Sequence, residues 1–165
     1  MRLKRTYSSR EVAALTGLSA RQLQLWAVGH LVSPAIPSHP TPAGGHTERR
    51  YTPVELFELL ALADLRRRGF SVQDLRTLLE VLKEQFNTRL FEATGGGGSL
   101  QLLTDGREIY ARTAQGQFYN LLKGPTQPLL VVGDEGLLKE LGGKVRRRRV
   151  TGSGRSARDR PRDEG

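Results

Sequence analysis

Three side chains near the start of a predicted helix have the chemistry to read DNA bases. Arg21, Gln22 and Gln24 are long, and each carries N–H donors. In the major groove, arginine can donate two hydrogen bonds to guanine and glutamine can pair with adenine. The alternative is a polar helix face that only contacts water, which is the favoured interpretation for an isolated helix pair. The elements around these residues must decide between the two.

Two capping boxes mark the helices that would position these side chains. Ser8 is followed three residues later by Glu11, and Ser19 by Gln22, so each pair can satisfy the free N–H groups of a helix start. Gly17 lies between them and tolerates the positive φ angle of a sharp turn. The helices predicted from these signals are 9–16 and 20–28.

Apolar residues at three- and four-residue spacing predict that the two helices share one core. These residues are Val12, Leu15, Leu18, Leu23, Trp26 and Ala27. The opposite face of the second helix is then left for the polar side chains.

A proline-rich segment over 33–50 follows and cannot be helical. It is predicted to be an extended loop or a short hairpin, with His46 as a phosphate-contact candidate. It leads into Arg49, Arg50 and Tyr51, two cations and an aromatic residue at the base of a hairpin. Such a hairpin can lie along a phosphate backbone, where arginines form charge-assisted bonds. A flexible, solvated loop is the alternative.

Two further helices are predicted beyond the loop. Thr52-Pro53-Val54-Glu55 supplies a cap, a proline at the first helical position and a glutamate three residues after the cap. The helix that follows, at about 53–68, is apolar on most sides and is expected to be central and mostly buried. Ser71 caps the next helix, at about 72–86, which carries a single apolar stripe.

Several spaced motifs together resemble the DNA-binding domain of MerR-type regulators. The matching segments are 7–26, 29–34, 49–52 and 67–71, which span about half of the chain. In that family the helix beginning near Ser19 enters the major groove, and an Arg-x-Tyr loop forms a wing on the DNA backbone. The resemblance implies that these residues contact DNA: Ser19, Arg21, Gln22, Gln24, Arg49, Arg50 and Tyr51.

The chain also departs from the family pattern. Gln24 and Leu25 stand where the family usually has Arg-Tyr, and Glu48 replaces the usual tyrosine before the wing arginine. The long dimerisation helix of the family is not predicted, because only 87–94 separate Phe86 from a run of glycines. The DNA specificity is therefore expected to differ, and repression by occupancy is at least as plausible as activation.

A β-rich pattern begins after the glycines at 95–98. Strands are predicted at 100–104 and 107–112, joined by a two-residue type I′ turn at Asp105-Gly106. Further strands are predicted at 118–122 and 128–132, and a short helix from Asp134 through Leu141. Three aromatic residues of this unit are either its core or a partner-binding surface: Tyr110, Phe118 and Tyr119.

The charge is unevenly distributed along the chain. The net charge is +9, with 10 Lys/Arg against 5 Asp/Glu in 1–68, 7 against 9 in 69–142, and 9 against 3 in 143–165. A sequence pI near 10.6 is a general feature of nucleic-acid binding. The domains predicted are 1–94 for DNA binding, a linker at 95–99, a small unit at 100–142 for dimerisation or partner binding, and a disordered basic tail at 143–165.

Several classes of function are disfavoured by the residues. The chain has no cysteine, which excludes thiolate metal sites and cysteine nucleophiles. Its three histidines lack the spacing of a helical zinc pair, and no catalytic or dinucleotide-binding motif occurs. No metal, cofactor, enzymatic activity or membrane contact is therefore expected. The protein is expected to be soluble, cytoplasmic and nucleoid-associated.

The sequence thus predicts an α+β protein with a helical winged helix-turn-helix region, a glycine linker, a small β-rich unit and a basic tail. The leading hypothesis is a bacterial transcription regulator that binds double-stranded DNA as a homodimer. RNA polymerase or another protein partner would bind through 100–142. The alternative is an adaptor or antitoxin-like interaction module whose DNA binding is autoregulatory.

Overall fold

The computed structural model describes residues 2–95 and 98–130. These residues contain five helices and six strands, with all the helices and two short strands first and a four-stranded sheet after them. The helices are α1 (Ser9–Thr16), α2 (Ala20–Val28), α3 (Pro53–Arg67), α4 (Val72–Phe86) and α5 (Leu90–Thr94). The strands are β1 (Tyr7–Ser8), β2 (Arg50–Tyr51), β3 (Leu100–Thr104), β4 (Ile109–Thr113), β5 (Phe118–Asn120) and β6 (Gly124–Leu129). The α+β prediction is confirmed.

The first four helices begin at capping boxes. At the start of α2 the Gln22 N–H donates to Ser19 Oγ at 3.1 Å, and the Ser19 N–H donates to Gln22 Oε1 at 2.9 Å. The same reciprocal pattern caps α1, α3 and α4. Gly17 adopts φ +75° and ends α1, with its N–H bonded to the Ala13 carbonyl at 3.0 Å. Local sequence therefore sets the helix boundaries closely.

One hydrophobic core joins the helices. Val12, Leu23 and Trp26 are buried in the same core as Leu59 and Leu62 of the central helix α3. The core prediction is wrong at one position of α1, since Leu15 is 46% exposed. Its side chain lies on the outer face of a two-turn helix, where one buried stripe is enough to pack against α3.

The loop between α2 and α3 forms a small paired structure, here called the wing (33–51). β1 pairs antiparallel with β2, and Ile36 bridges to Arg50 on the other side. Farther out, Pro40 bridges to His46, and the turn between them includes Gly44 at φ +86°. The many prolines are compatible with this arrangement. Beyond the base of the wing the two sides meet only at isolated β-bridges, so few backbone N–H groups are needed for pairing.

Helix α4 ends at Phe86, and the long dimerisation helix of the family does not follow it within the described residues. Asn87 adopts a left-handed conformation with φ 46°, which stops α4. The chain then turns into the short helix α5. An ion pair ties the turn to the core: Arg89 Nη2 lies 2.9 Å from Glu58 Oε2, and Arg89 Nε lies 3.0 Å from Glu58 Oε1. Glu58 is the buried partner of this pair.

The four strands β3 to β6 form one antiparallel sheet in sequence order. The predicted two-residue turn between β3 and β4 is wrong. Thr104 pairs with Ile109, so four residues connect the strands. The Asp105 carboxylate accepts the backbone N–H groups of Glu108 and Arg107, both at 2.8 Å, and these bonds lower the pKa of Asp105. An aspartate turn of this kind competes with the type I′ geometry.

The last described strand also differs from its prediction. β6 was expected to start at Pro128, but it begins at Gly124 and includes Pro125 and Pro128. It lies at the edge of the sheet. Proline is tolerated in an edge strand because the N–H that it lacks can be one that would otherwise face away from the neighbouring strand.

The sheet packs on the helices through its inner side chains. Phe86 of α4 meets Tyr119 of β5 edge to face, with ring centroids 5.5 Å apart. Leu100, Ile109 and Leu121 are buried in the same core as the helical residues. The domain boundaries at 94, 99 and 142 remain predictions. The expected helix at 134–141 and the basic tail lie outside the described residues.

Candidate nucleic-acid interface

Helix α2 presents a polar surface on the side away from the core. Leu23 and Trp26 point into the core, whereas Arg21 and Gln24 are exposed. Positions three and four apart share a helix face, so the arginine and the glutamine lie on one stripe. The structure therefore brings together two of the predicted base-reading side chains on an accessible helix.

Ser19 and Gln22 have a structural role in the same helix. Both are exposed, but their side chains are engaged in the capping box at the start of α2. The carbonyl oxygen of Gln22 accepts the serine N–H, which leaves the amide NH₂ of Gln22 as a free donor. Both side chains therefore keep a donor beyond the capping box, the hydroxyl hydrogen of Ser19 and the amide NH₂ of Gln22.

The exposed stripe of α2 also carries two apolar side chains that the sequence predictions did not include. Leu25 is 58% exposed and Val28 is 67% exposed. They follow Arg21 at four- and seven-residue spacing, so all three share one face. The available signal was their exclusion from the inward stripe of Leu23 and Trp26. Large exposed apolar residues on a helix that also carries base-reading groups suit contact with the methyl group of thymine.

Two arginines from the later helices hold the helix pair in place. Arg76 of α4 donates to the Gly29 carbonyl at the end of α2, at 2.7 Å. Arg67 of α3 donates to the Thr16 carbonyl at the end of α1, at 3.2 Å. Each guanidinium neutralises a helix C-terminus, where unpaired carbonyls carry partial negative charge. The exposed face of α2 is thus presented on a rigid support.

The two wing arginines differ in what they contact. Arg50 donates from Nε and Nη2 to Thr6 Oγ1, at 3.1 and 2.9 Å, and its Nη1 lies 3.9 Å from Glu48. In the part of the chain that is described, the Arg49 side chain forms no ion pair or hydrogen bond. Arg49 is therefore free to bind a phosphate, whereas Arg50 ties the wing to the segment before β1.

Tyr51 occupies a different position from the one that the resemblance implies. Its side chain is 0% exposed and lies in the core, so it cannot reach DNA in this conformation. Burial is the main cause that raises the pKa of its phenol, and it outweighs the lowering effects of Arg49 and of the Ser9 side chain. By distance and angle, the hydroxyl forms no hydrogen bond with any described residue. Tyr51 fixes the base of the wing by packing. Alternation along β2 explains the difference, since neighbouring side chains point to opposite faces.

His46 is exposed near the tip of the wing, across the hairpin from Pro40. The neighbouring backbone is ordered by a bond from the Thr47 N–H to the His39 carbonyl, at 2.7 Å. The imidazole is accessible from solvent, as a phosphate contact would require.

Two capped helices joined by a tight turn, with an arginine-bearing paired loop after them, define a winged helix-turn-helix protein. Residues 7–82 match the family described as MerR HTH family regulatory protein. This part of the chain therefore has a MerR-type helix-turn-helix, and the resemblance predicted from the sequence is confirmed.

Curated relatives agree with this assignment. The chain is 27% identical over 139 residues to proteins of Mycobacterium bovis and Mycobacterium tuberculosis, each named an uncharacterized HTH-type transcriptional regulator. The match covers 84% of this chain but only 57% of the relatives, so the chain spans little more than half of their length. No solved structure matches the chain significantly. Between residues 2 and 130, apart from 96 and 97, no helix is long and apolar enough to cross a membrane.

Proposed function

We propose that this protein is a sequence-specific DNA-binding transcription regulator. The observation that carries the proposal is the exposed stripe of α2, where Arg21 and Gln24 stand on a capped helix held by Arg67 and Arg76. In this proposal α2 enters the major groove. Arg21 and Gln24 bond base edges, and the free amide NH₂ of Gln22 adds a donor at the groove edge.

The wing supplies contacts that do not depend on sequence. Arg49 binds a phosphate of the DNA backbone, and His46, near the wing tip, lies along the same DNA strand. Charge-assisted bonds to phosphates release counterions, so this part of the affinity falls as the salt concentration rises. Ser19 caps α2 and holds its first turn against the DNA.

We expect the regulator to act as a homodimer, since two copies of α2 would then read two half-sites. Asn87 ends α4, and α5 has only five residues, so within residues 2–95 and 98–130 no long helix follows α4 to supply the dimer contact. Repression by occupancy remains at least as plausible as activation. Activation would require another rigid contact between the two copies, or between the protein and RNA polymerase. Such a protein would act in the cytoplasm, at the nucleoid.

An adaptor or antitoxin-like protein with autoregulatory DNA binding is the second candidate. It is favoured by the outward face of the sheet, where Tyr110 and Phe118 are only half-buried and Arg112 lies 5.9 Å from the Phe118 ring centroid. Phe118 directly opposes Arg112 in the ladder. An aromatic and cationic surface of this kind suits a protein partner.

Outward-facing substitutions separate the two candidates. Truncation after 94 would remove Leu100 and Leu121 from the common core and would destabilise the helices as well. Tyr110→Ser with Phe118→Ser leaves those core residues in place. A regulator should keep its DNA affinity in this variant. An adaptor should lose its partner, as measured by isothermal titration with that protein.

The difference between Arg49 and Arg50 gives a direct prediction. Arg49→Ala should make the negative slope of log Kobs against log salt shallower by about 0.9, the value for one lost phosphate contact on duplex DNA. Arg49→Lys should restore the slope, because a phosphate contact requires only the charge. Arg50→Lys should not behave as wild type, since lysine cannot reproduce the two bonds to Thr6. Fluorescence anisotropy on a labelled duplex measures these slopes.

Two results would contradict this assignment. An unchanged slope for Arg49→Ala would remove the wing from the interface. Identical behaviour of the lysine variants at Arg49 and Arg50 would show that the two side chains do not differ in role.

Leu25 provides a test of base contact that involves no hydrogen bond. Replacing each thymine of a selected site by deoxyuridine removes one methyl group at a time. At one position the wild type should lose about 0.8 kcal/mol, roughly fourfold in affinity, for a buried methyl-sized group. Leu25→Ala should bind the thymine and deoxyuridine duplexes equally. If no thymine shows this coupling to Leu25, the apolar part of the stripe does not contact bases.

A further inference from the structure

The segment before β1 is a second basic element beside the wing, here called the basic arm (residues 2–6). It contains Arg2, Lys4 and Arg5, all of them exposed. Neither the predicted DNA contacts nor the family match, which starts at residue 7, includes it. Three cations in four residues are strongly attracted to phosphates, but charge alone would also fit a solvated segment.

The structure ties the arm to the wing. β1 follows the arm directly and pairs with β2, with Ser8 opposite Arg50. The Arg50 guanidinium donates two bonds to Thr6 Oγ1, at 3.1 and 2.9 Å. The last residue of the arm is therefore attached to the base of the wing by both backbone pairing nearby and a side-chain contact.

The middle of the arm is also held. The backbone N–H of Lys4 donates to the Tyr7 hydroxyl at 3.3 Å, and Tyr7 is buried in the core. The Lys4 ammonium forms an ion pair with Glu11, which lowers the pKa of that carboxyl. Glu11 is itself fixed by the capping box of α1. The arm is thus held against α1 at Lys4 and against the wing at Thr6.

The cations of the arm divide into two roles. Lys4 is neutralised by Glu11, so it holds the arm in place. Arg2 and Arg5 form no ion pair within residues 2–95 and 98–130. Arg49 of the wing is free in the same sense. Two exposed guanidinium groups therefore flank the anchored Lys4 in the segment that leads into β1, and β1 pairs with the wing strand that directly follows Arg49.

From this geometry we infer that the basic arm is a second phosphate-binding element, in which Arg2 and Arg5 extend the contact of Arg49 along the backbone of double-stranded DNA. The inference rests on the proposed DNA-binding function. It adds about two backbone contacts to each protomer, independent of base sequence. Arginine suits this role because its planar guanidinium can bond two phosphate oxygens at once.

Salt titrations on duplex DNA test the arm. The double variant Arg2→Ala/Arg5→Ala should make the negative slope of log Kobs against log salt shallower by about 1.8, because two contacts of about 0.9 each are lost. The loss should be equal on a selected site and on an unrelated duplex of the same length. Arg2→Lys/Arg5→Lys should keep the wild-type slope.

Arg107→Ala is the matched control for a change of charge. Arg107 is exposed in the turn between β3 and β4, and its removal also takes one positive charge from the protein. Its slope should equal that of the wild type. The two single variants, Arg2→Ala and Arg5→Ala, should each lower the slope by about 0.9.

Three outcomes would overturn the inference while leaving the proposed function intact. The first is a wild-type slope in Arg2→Ala/Arg5→Ala. The second is a loss confined to one DNA sequence, which would mean that the arm reads bases. The third is that Arg2→Ala/Arg5→Ala loses a binding to vesicles of anionic phospholipid that the wild type has, while it binds duplex DNA as the wild type does. That result would assign the arm to a membrane surface. Failure of the wild type to bind any duplex would instead refute the proposed function.

Discussion

Replacing Tyr51 by alanine should lower the free energy of unfolding by about 3–5 kcal/mol, the range for deleting a large buried aromatic side chain. Tyr51 is 0% exposed and joins β2 to the core beneath α1 and α3. Its removal leaves a cavity at the base of the wing, and the surrounding helices can collapse into it only in part. Denaturation by urea, followed by circular dichroism, measures the change.

Tyr51→Phe is the matched control, and it also gives a pH dependence. It keeps the ring and removes only a hydroxyl that has no partner among the described residues, so stability should change by no more than about 1 kcal/mol. Burial raises the pKa of Tyr51 in the folded protein above its unfolded value near 10. The unfolded state therefore ionises first as pH rises.

The stability that neutral Tyr51 contributes is complete below about pH 10 and is lost as pH rises from there towards the folded pKa. The wild type should become less stable over this window, and Tyr51→Phe should lose less. Equal alkaline slopes for the two proteins would show that the phenol is not desolvated. A loss below about 1 kcal/mol in Tyr51→Ala would show that the residue is not a core residue.

The largest expected effect on binding comes from Arg21. Arg21→Ala should weaken binding to a selected site by about 1–3 kcal/mol, or about 5- to 150-fold. The reason is that a bidentate bond to guanine is lost together with one positive charge. Binding to an unrelated duplex should weaken much less, because only the charge contributes there. Competition titrations on both duplexes at one salt concentration measure the difference.

Arg107→Ala again controls for the charge, since it removes a cation from the β3–β4 turn. It should not change the ratio of specific to non-specific affinity. Equal weakening of all duplexes by Arg21→Ala would assign Arg21 to a phosphate and would leave base recognition to other residues.

Local signals were sufficient to predict the first four helices, α1 to α4, although not the short helix α5. Ser8, Ser19, Thr52 and Ser71 each start a helix because the capping partner stands three residues later. Capping involves only neighbouring residues, so it can be read without knowledge of the tertiary structure. The inward stripe of α2 followed from spacing alone for the same reason.

Features set by distant contacts could not be predicted in this way. Tyr51 and Arg50 are adjacent, yet the first is buried and the second is bonded to Thr6, 44 positions away. The alternation of faces in β2 depends on its pairing with β1 and Ile36, which no local pattern reveals. The wing was therefore predicted as a set of exposed contacts, although only Arg49 has an unengaged cationic side chain.

The β-sheet shows the same limit. The strands β3 and β4 were expected as a hairpin around the turn signal Asp105-Gly106, but the four-residue connection depends on how Asp105 bonds the backbone of Arg107 and Glu108. The contact of Tyr119 with Phe86 joins the sheet to α4 and could not be inferred from either segment alone. It explains why the sheet residues belong to the helical core.

The most direct test of base reading by α2 is selection of bound duplexes from a random DNA pool at physiological salt, with wild type and Arg21→Ala/Gln24→Ala compared. The wild type should enrich one motif, present as an inverted repeat if two copies bind together. The variant should bind the pool but lose the base preference at the positions that face the two side chains. An unenriched wild-type pool, or the same motif at full strength from the variant, would contradict recognition by α2.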